Sequence, residues 1–187
     1  MKRELSRLMQ TAGYELEWRG PQDSHIDTGA FLAVVELRGN CEAPSGNLAP
    51  GSALPGMADL ASTFISDGQV LPFGWVNCGN VTKFLAPALL DQPGARGDFM
   101  LGRAIGRLIA HEVYHMLMQT REHTRNGISK PGFTAADLTA NSFEFDGAAL
   151  SQLQRRADPL VRAGPPGPAL RPAESAASVC SQCLQRQ

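Results

Sequence analysis

The longest periodic stretch of the sequence runs from about Asp98 to Thr120 and predicts one long helix. Its apolar residues recur at helical spacing and form a single stripe, which is typical of a helix that packs on a core. The stripe consists of Leu101, Ile105, Ile109, Val113 and Met116. Gly102 and Gly106 stand one turn apart, so another element can pack closely on that side. With 187 residues, the chain can bury such a core without disulfides or metals as supports.

Strand patterns precede the long helix, and helical patterns stand on either side of them. Four segments have the composition and alternation of strands: Tyr14–Trp18, Phe31–Leu37, Leu60–Ile65 and Val70–Val76. Ser66-Asp67-Gly68 predicts a hairpin between the last two, and Pro72 favours an edge position in the sheet. Further helices are predicted over Leu5–Ala12, ended by Gly13, and over Phe145–Arg156. Together these elements predict an α+β fold with a small mixed sheet packed on the long helix.

Two regions of different character make up the chain. Residues 1–157 form the predicted folded domain. In residues 158–187, Pro, Ala, Gly, Arg and Ser dominate and periodicity disappears, which predicts a disordered tail. Cys180 and Cys183 form a single CxxC in this tail, a weak zinc signal without a second pair. Cys41 and Cys78 are isolated, and they are either two buried thiols or, in an oxidising compartment, a disulfide.

Composition and charge bear on the partners and the location of the protein. Apolar residues make up 43% and charged residues 19%, a globular balance. A net charge of −1 and a pI near 6.4 predict no nucleic-acid partner. No apolar run is long enough to span a bilayer. The amino terminus lacks the apolar stretch of a signal peptide, so we expect a cytoplasmic protein, or an extracytoplasmic one if a leader precedes this sequence.

The chemistry is concentrated on and just after the long helix, where three of the four histidines fall within 13 residues. His111 and His115 are one helical turn apart, so both imidazoles project from the same side and can share a metal ion. Glu112 lies beside them, within reach of a water on that metal. This is the HExxH pattern, in which zinc takes two histidines and the glutamate is the general base.

A catalytic zinc ion needs a third protein ligand and one open position. His123 is the first candidate, because a loop that turns at Asn126-Gly127 can carry it back to the metal. The alternatives are carboxylates that come later in the chain. They are Glu144, Asp146 and Asp137.

The HExxH pattern of His111–His115 resembles the zincin metallopeptidases. The longer stretch, from Leu101 through the motif to His123 and Gly127, looks like a group of small bacterial metzincin-like proteases. This resemblance implies a zincin-like fold, a zinc cofactor and a metalloendopeptidase that hydrolyses peptide bonds. It also implies that His111, His115 and His123 are the zinc ligands and that Glu112 is the catalytic base.

The sequence departs from the metzincin pattern HExxHxxGxxH. The third histidine comes two positions later, and Met118 stands where the pattern has a helix-ending glycine. No methionine follows Met118, so the Met-turn beneath the metal is missing, and Ile128-Ser129 stands in its neighbourhood. The third ligand therefore stays open between His123 and Glu144.

The resemblance also implies how a peptide or protein substrate binds and reacts. Glu112 would activate a zinc-bound water for attack on the peptide carbonyl. An edge strand ahead of the helix would pair with extended substrate, a role that falls to Val70–Val76 and within it to Val70, Leu71 and Phe73. Tyr114 is a candidate oxyanion donor, although packing on the helix is the commoner role for such a residue. The alternative function is a non-catalytic zinc-binding interaction module, a pseudo-protease.

Overall fold

The structure is a computed structural model, and it describes residues 1–20, 22–23, 31–43, 60–89, 92 and 94–157. The predicted α+β class is confirmed: a small three-stranded sheet accompanies one long helix and several shorter ones. In chain order the elements are α1 (Lys2–Thr11), β1 (Val34–Arg38), β2 (Ala61–Ser66), β3 (Gln69–Asn77), α2 (Cys78–Phe84), α3 (Ala86–Leu89), α4 (Ala95–Met118), α5 (Ala135–Thr139) and α6 (Gly147–Ala157).

The sheet is mixed, as predicted, with the strand order β1-β3-β2. Strand β1 runs parallel to β3, whereas β2 runs antiparallel to it. The predicted hairpin joins β2 to β3 through Asp67 and Gly68, which have φ values of 50° and 78°. Two central residues with positive φ match the right-handed twist of the flanking strands, which is why an Asp-Gly pair is favoured there.

The predicted edge position of Val70–Val76 is wrong, because β3 is the central strand. Pro72 is tolerated there for two local reasons. Pairing with β1 begins only at Phe73, and the pairing with β2 is irregular between Thr63 and Ile65, across from Pro72. A residue without an N–H group thus lies where the ladder is already interrupted. Among the described residues, the two edge strands of this sheet are β1 and β2.

The predicted strand Tyr14–Trp18 is also wrong, since these residues form no strand. Tyr14 instead closes the end of α1, where its backbone N–H donates to the carbonyl of Met9. Its hydroxyl donates to the carbonyl of Leu153 in α6 at 3.1 Å. Tyr14 and Leu16 pack against the core as single side chains, and in the described part of the chain no strand pairs with this segment.

Helix α4 is the centre of the molecule, with α1 on one side and the sheet on another. It covers the predicted Asp98–Thr120 helix with an earlier start and an earlier end. The close approach expected at Gly106 is made by α1, because an added Cβ would lie 3.1 Å from Glu4 Cβ and 3.3 Å from Leu5 N. Arg107, fully buried, ties the same two helices together through Glu4, whose Oε1 lies 2.9 Å from its Nε.

The remaining predictions have different outcomes. The helices over Leu5–Ala12 and Phe145–Arg156 are confirmed as α1 and α6, and the short helices α2, α3 and α5 were not predicted. Cys41 and Cys78 form a disulfide, which decides between the two alternatives for these residues. The predicted tail, 158–187, and its CxxC lie outside the described residues. None of the described helices is long and apolar enough to cross a membrane.

Candidate metal centre

Two histidines of α4 form the base of the site. His111 and His115 are buried, with 4% and 8% of their surface exposed, and their Nε2 atoms lie 3.0 Å apart. The spacing of four residues places both rings on one side of the helix, as the sequence predicts. Two ligands of a tetrahedral zinc ion, each 2.0–2.1 Å from the metal, would be separated by about 3.3 Å. The observed separation is close to that value.

Each of these two rings is oriented by a backbone carbonyl. His111 Nδ1 lies 2.7 Å from the carbonyl oxygen of Ile128, and His115 Nδ1 lies 2.8 Å from that of Thr120. A carbonyl oxygen only accepts, so both Nδ1 atoms carry the proton and donate it. In the neutral rings the two Nε2 atoms then face each other with lone pairs, an arrangement that a bound cation stabilises. Histidine ligands of metal ions are commonly held by carbonyls in this way.

The loop that follows α4 supplies the third histidine. Helix α4 ends at Met118, and the next residue, Gln119, caps it with a left-handed φ of 50°. Directly after His123, hydrogen bonds close the loop: the Thr124 N–H donates to the Ser129 carbonyl, and the side-chain oxygens of these two residues lie 2.6 Å apart. The predicted turn at Asn126-Gly127 is present, and Gly127 has a φ of 71°.

Gly127 is held against the segment that precedes α6. It forms an antiparallel bridge with Phe145, and the next residue, Ile128, donates its N–H to the Glu144 carbonyl. A Cβ added at Gly127 would lie 2.6 Å from Asp146 N and would also collide with the Glu144 carbonyl oxygen. Only glycine combines this φ with so close an approach. The same backbone therefore fixes His123 and, through Ile128, the ring of His111.

The three imidazoles converge closely enough to hold one metal ion. One nitrogen from each of His111, His115 and His123 lies within 4.8 Å of the other two. The ring centroid of His123 is 5.2 Å from that of His111 and 4.8 Å from that of His115. The first two rings are buried and the third is exposed, so the group opens to solvent on the side of His123. This donor set suits zinc, copper, iron or nickel, and geometry alone does not choose among them.

The protonation of the site favours metal binding at neutral pH. Burial, together with a smaller effect of the neighbouring His115, lowers the pKa of His111 to about 3. Burial also lowers the pKa values of His115 and His123. All three rings are therefore neutral at pH 7, which is the form that binds a metal ion.

Glu112 is the remaining residue of the predicted motif, and it contacts a residue that sequence reasoning missed. Glu112 is 4% exposed, and its Oε2 accepts a hydrogen bond from the Thr63 hydroxyl at 2.6 Å. Burial raises the pKa of Glu112 to about 7, and the hydrogen bond from Thr63 opposes that rise. A carboxylate with a pKa near neutrality can both accept and return a proton. No sequence pattern distinguishes Thr63 from other threonines in strands.

The carboxylates that were alternatives for the third ligand are engaged elsewhere. Glu144 forms an ion pair with Arg7 at 2.6 Å, Asp146 accepts from the Ala149 N–H in α6, and Asp137 accepts from Lys130 and caps α5. Of the candidates, the structure brings His123 to His111 and His115.

The other predicted site residues are Tyr114 on α4 and Val70, Leu71 and Phe73 on β3. Tyr114 is buried, and its ring centroid lies 5.6 Å from that of His115 and 6.3 Å from that of Phe145. Val70 is buried on the face of β3 that carries Gly74 and faces α4, whereas Leu71 and Phe73 point to the opposite face.

Comparison of the chain with protein-family models, curated proteins and solved structures finds no match.

Proposed function

We propose that the protein is a zinc-dependent metalloendopeptidase with a zincin-like fold. The observation that carries the proposal is the convergence of three neutral imidazoles beside a buried carboxylate on the same helix. Structural zinc sites favour four protein ligands and cysteine, whereas catalytic sites combine three ligands with an open position. His111, His115 and His123 match the second type, and Glu112 has no role in a purely structural site.

Zinc is the metal that we assign to these ligands. Three histidines in a compact group suit a tetrahedral ion with one position left for water or substrate. The carbonyls of Ile128 and Thr120 fix the rings that would bind it, so the site needs little rearrangement to load. When bound, zinc lowers the pKa of a water molecule and polarises a substrate carbonyl.

The residues of the chain supply proton transfer and orientation. Glu112 takes the proton of the attacking water and returns it to the amine that leaves when the peptide bond breaks. Its Oε2 accepts the hydrogen bond from Thr63, so Oε1 is the oxygen available for this proton transfer. Burial raises the pKa of Glu112 to about 7, so the carboxylate can exchange a proton at neutral pH.

We assign the substrate-binding edge to β2, in place of Val70–Val76. Within the described part of the chain, β2 pairs with β3 on one side only, and its residue Thr63 contacts Glu112. An extended peptide that pairs with the free side of β2 would lie beside the general base. Val70, Leu71 and Phe73 would then act only indirectly, through the strand that supports β2.

The first experiment measures zinc and activity together, on protein loaded with zinc and dialysed. We expect one zinc per chain in the wild type and in Glu112→Gln, with peptide hydrolysis lost only in the variant. His123→Ala should lose or greatly weaken zinc binding, whereas the matched control Glu144→Ala should keep it. Hydrolysis is followed on a mixed library of fluorogenic peptides.

The outcomes separate the two functions. Zinc with no hydrolysis of any peptide in the wild type would favour the non-catalytic binding module. Absence of zinc from the wild type after loading would contradict both functions. Zinc retained by His123→Ala would contradict the three-histidine site.

A further inference from the structure

The hydrogen bond between Thr63 and Glu112 joins residues that are 49 positions apart in the chain. The Thr63 Oγ1 atom lies 2.6 Å from Glu112 Oε2 and 3.3 Å from the backbone carbonyl of the same residue. A hydroxyl has one proton to donate, and the shorter contact, to the charged group, takes it. Oε1 forms no hydrogen bond with the described residues. The carboxylate is thus held by one of its two oxygens.

Close packing of α4 on the hairpin produces this contact. Thr63 is directly opposite Gly74 in the β2–β3 ladder, so both face α4. A Cβ added at Gly74 would lie 2.9 Å from Met116 Cε, one helical turn beyond Glu112. The absence of a side chain at Gly74 therefore lets the helix approach the sheet. At this distance a threonine side chain is long enough to reach the carboxylate.

A general base must keep a fixed direction to accept a proton efficiently. A glutamate side chain has several rotatable bonds, and holding it in one conformation opposes its rotamer entropy. A charge-assisted hydrogen bond from a residue on a strand restricts that freedom. Because the bond uses Oε2, it leaves Oε1 free. The strand that supplies the bond, β2, is also an edge strand of the sheet within the described residues.

We propose that Thr63 is a positioning residue for Glu112, whose hydroxyl fixes the carboxylate through Oε2 and leaves Oε1 for proton transfer. The inference rests on the proposed function. It assigns to β2 a part in the reaction beyond the pairing of a substrate strand. The methyl group of Thr63 has no part in this role, and the hydroxyl is the group required.

Thr63→Val and Thr63→Ser separate the hydroxyl from the rest of the side chain. Valine keeps the shape and the β-branching without the hydroxyl, whereas serine keeps the hydroxyl without the methyl. In Thr63→Val we expect kcat to fall about tenfold or more, which corresponds to about 1.4 kcal/mol or more in the barrier. KM should stay within about twofold, and zinc should remain at one per chain. Thr63→Ser should retain most of the wild-type kcat.

A second readout does not depend on turnover. Carbon-13 NMR of metal-free protein detects the Glu112 carboxyl carbon, which is assigned by its absence in Glu112→Gln. We expect the resonance to move in Thr63→Val and to stay near its wild-type position in Thr63→Ser. This comparison reports the hydrogen bond even if Thr63→Val is less stable.

The results distinguish failure of this inference from failure of the proposed function. An active wild type with an equally active Thr63→Val would overturn the role of Thr63 alone. Equal losses of kcat in both variants, or loss of zinc from Thr63→Val, would also overturn it, because they indicate a structural role. A zinc-loaded wild type that cleaves no peptide would overturn the proposed function, and the role of Thr63 in the reaction would fall with it.

Discussion

His111, His115 and Glu112 are each held by a hydrogen-bond partner that lies outside helix α4. The carbonyls of Thr120 and Ile128 orient His115 and His111, and Thr63 orients Glu112. Buried polar groups without such partners are strongly destabilising, so these partners stabilise the folded protein. At this scale the site is a set of neutral rings and one carboxylate in an apolar surrounding.

Burial of Glu112 makes the stability of the folded protein depend on pH. Its pKa is about 7 in the folded protein and about 4.5 when exposed, so the folded state binds more protons between these values. The contribution of Glu112 to stability therefore falls as pH rises from about 4.5 to about 7. At about 1.4 kcal/mol per pKa unit, this amounts to about 3 kcal/mol. In metal-free protein, Glu112→Gln should thus gain stability relative to the wild type between pH 5 and pH 8.

Urea unfolding of the wild type and Glu112→Gln at pH 5 and pH 8, with a chelator present, measures this difference in stability. The lowered pKa of His111 acts in the opposite direction, since its contribution grows as pH rises from about 3 towards 6.5. His111 is present in both proteins, so its effect cancels in the comparison. A difference between the two proteins that does not change with pH would contradict the prediction.

At the scale of elements, one long helix and one loop build the site. Helix α4 supplies His111, Glu112 and His115, and the loop after it supplies His123. The loop is closed by backbone contacts with the segment before α6, in which Gly127 is bridged to Phe145. The position of His123 therefore depends on a contact between two segments that are neither helix nor strand.

Gly127→Ala should weaken the metal site through this contact. An added Cβ would collide with backbone atoms of Glu144 and Asp146, and the φ of 71° is strained for alanine. We expect zinc affinity to fall about tenfold or more, as is typical when the support of a ligand is lost. Gly68→Ala is the matched control, because Gly68 has a similar φ of 78° with nothing within 4 Å of the added Cβ. Competition with a zinc-binding dye measures both, and equal affinities would contradict this role of Gly127.

At the scale of the whole molecule, a disulfide joins the end of the β1 region to the start of α2. Cys41 and Cys78 are 37 residues apart in sequence, and Cys78 is fully buried. Asn77, next to it, accepts a hydrogen bond from the Asn80 N–H and caps α2. The disulfide thus ties β1, β3 and α2 together at one end of the sheet. No residue of the candidate metal centre takes part in it.

Removal of this bond should lower stability without removing the metal site. Closing a loop of 37 residues in the unfolded chain contributes about 4 kcal/mol. We expect the double variant Cys41→Ser/Cys78→Ser to lose about that amount in urea unfolding and to retain one zinc per chain at low denaturant. Wild type in reductant is the companion measurement. Zinc loss from folded double variant would contradict the independence of the two regions.

The elements that the sequence predicted well are those encoded by neighbouring residues. The periodicity from Asp98 to Thr120 defines α4, and a spacing of four places His111 and His115 on one side of it. The Asp67-Gly68 turn defines the hairpin in the same local way. Such features depend on bond geometry and on contacts one turn apart, so they are present in the sequence itself.

The other features were decided by contacts between distant residues. Pro72 favoured an edge strand, but the interrupted ladder around it allowed β3 to be central. His123 lies beside His111 and His115, whereas Glu144 pairs with Arg7, 137 positions away in the chain. Thr63 is one of many polar residues in the sequence until packing of α4 on β2 brings it to Glu112. The sequence alone determined which helix would carry the candidate metal centre and that His111, Glu112 and His115 lie together on it; only the tertiary structure determined the third histidine and the partners of these residues, because they meet through packing across the whole fold.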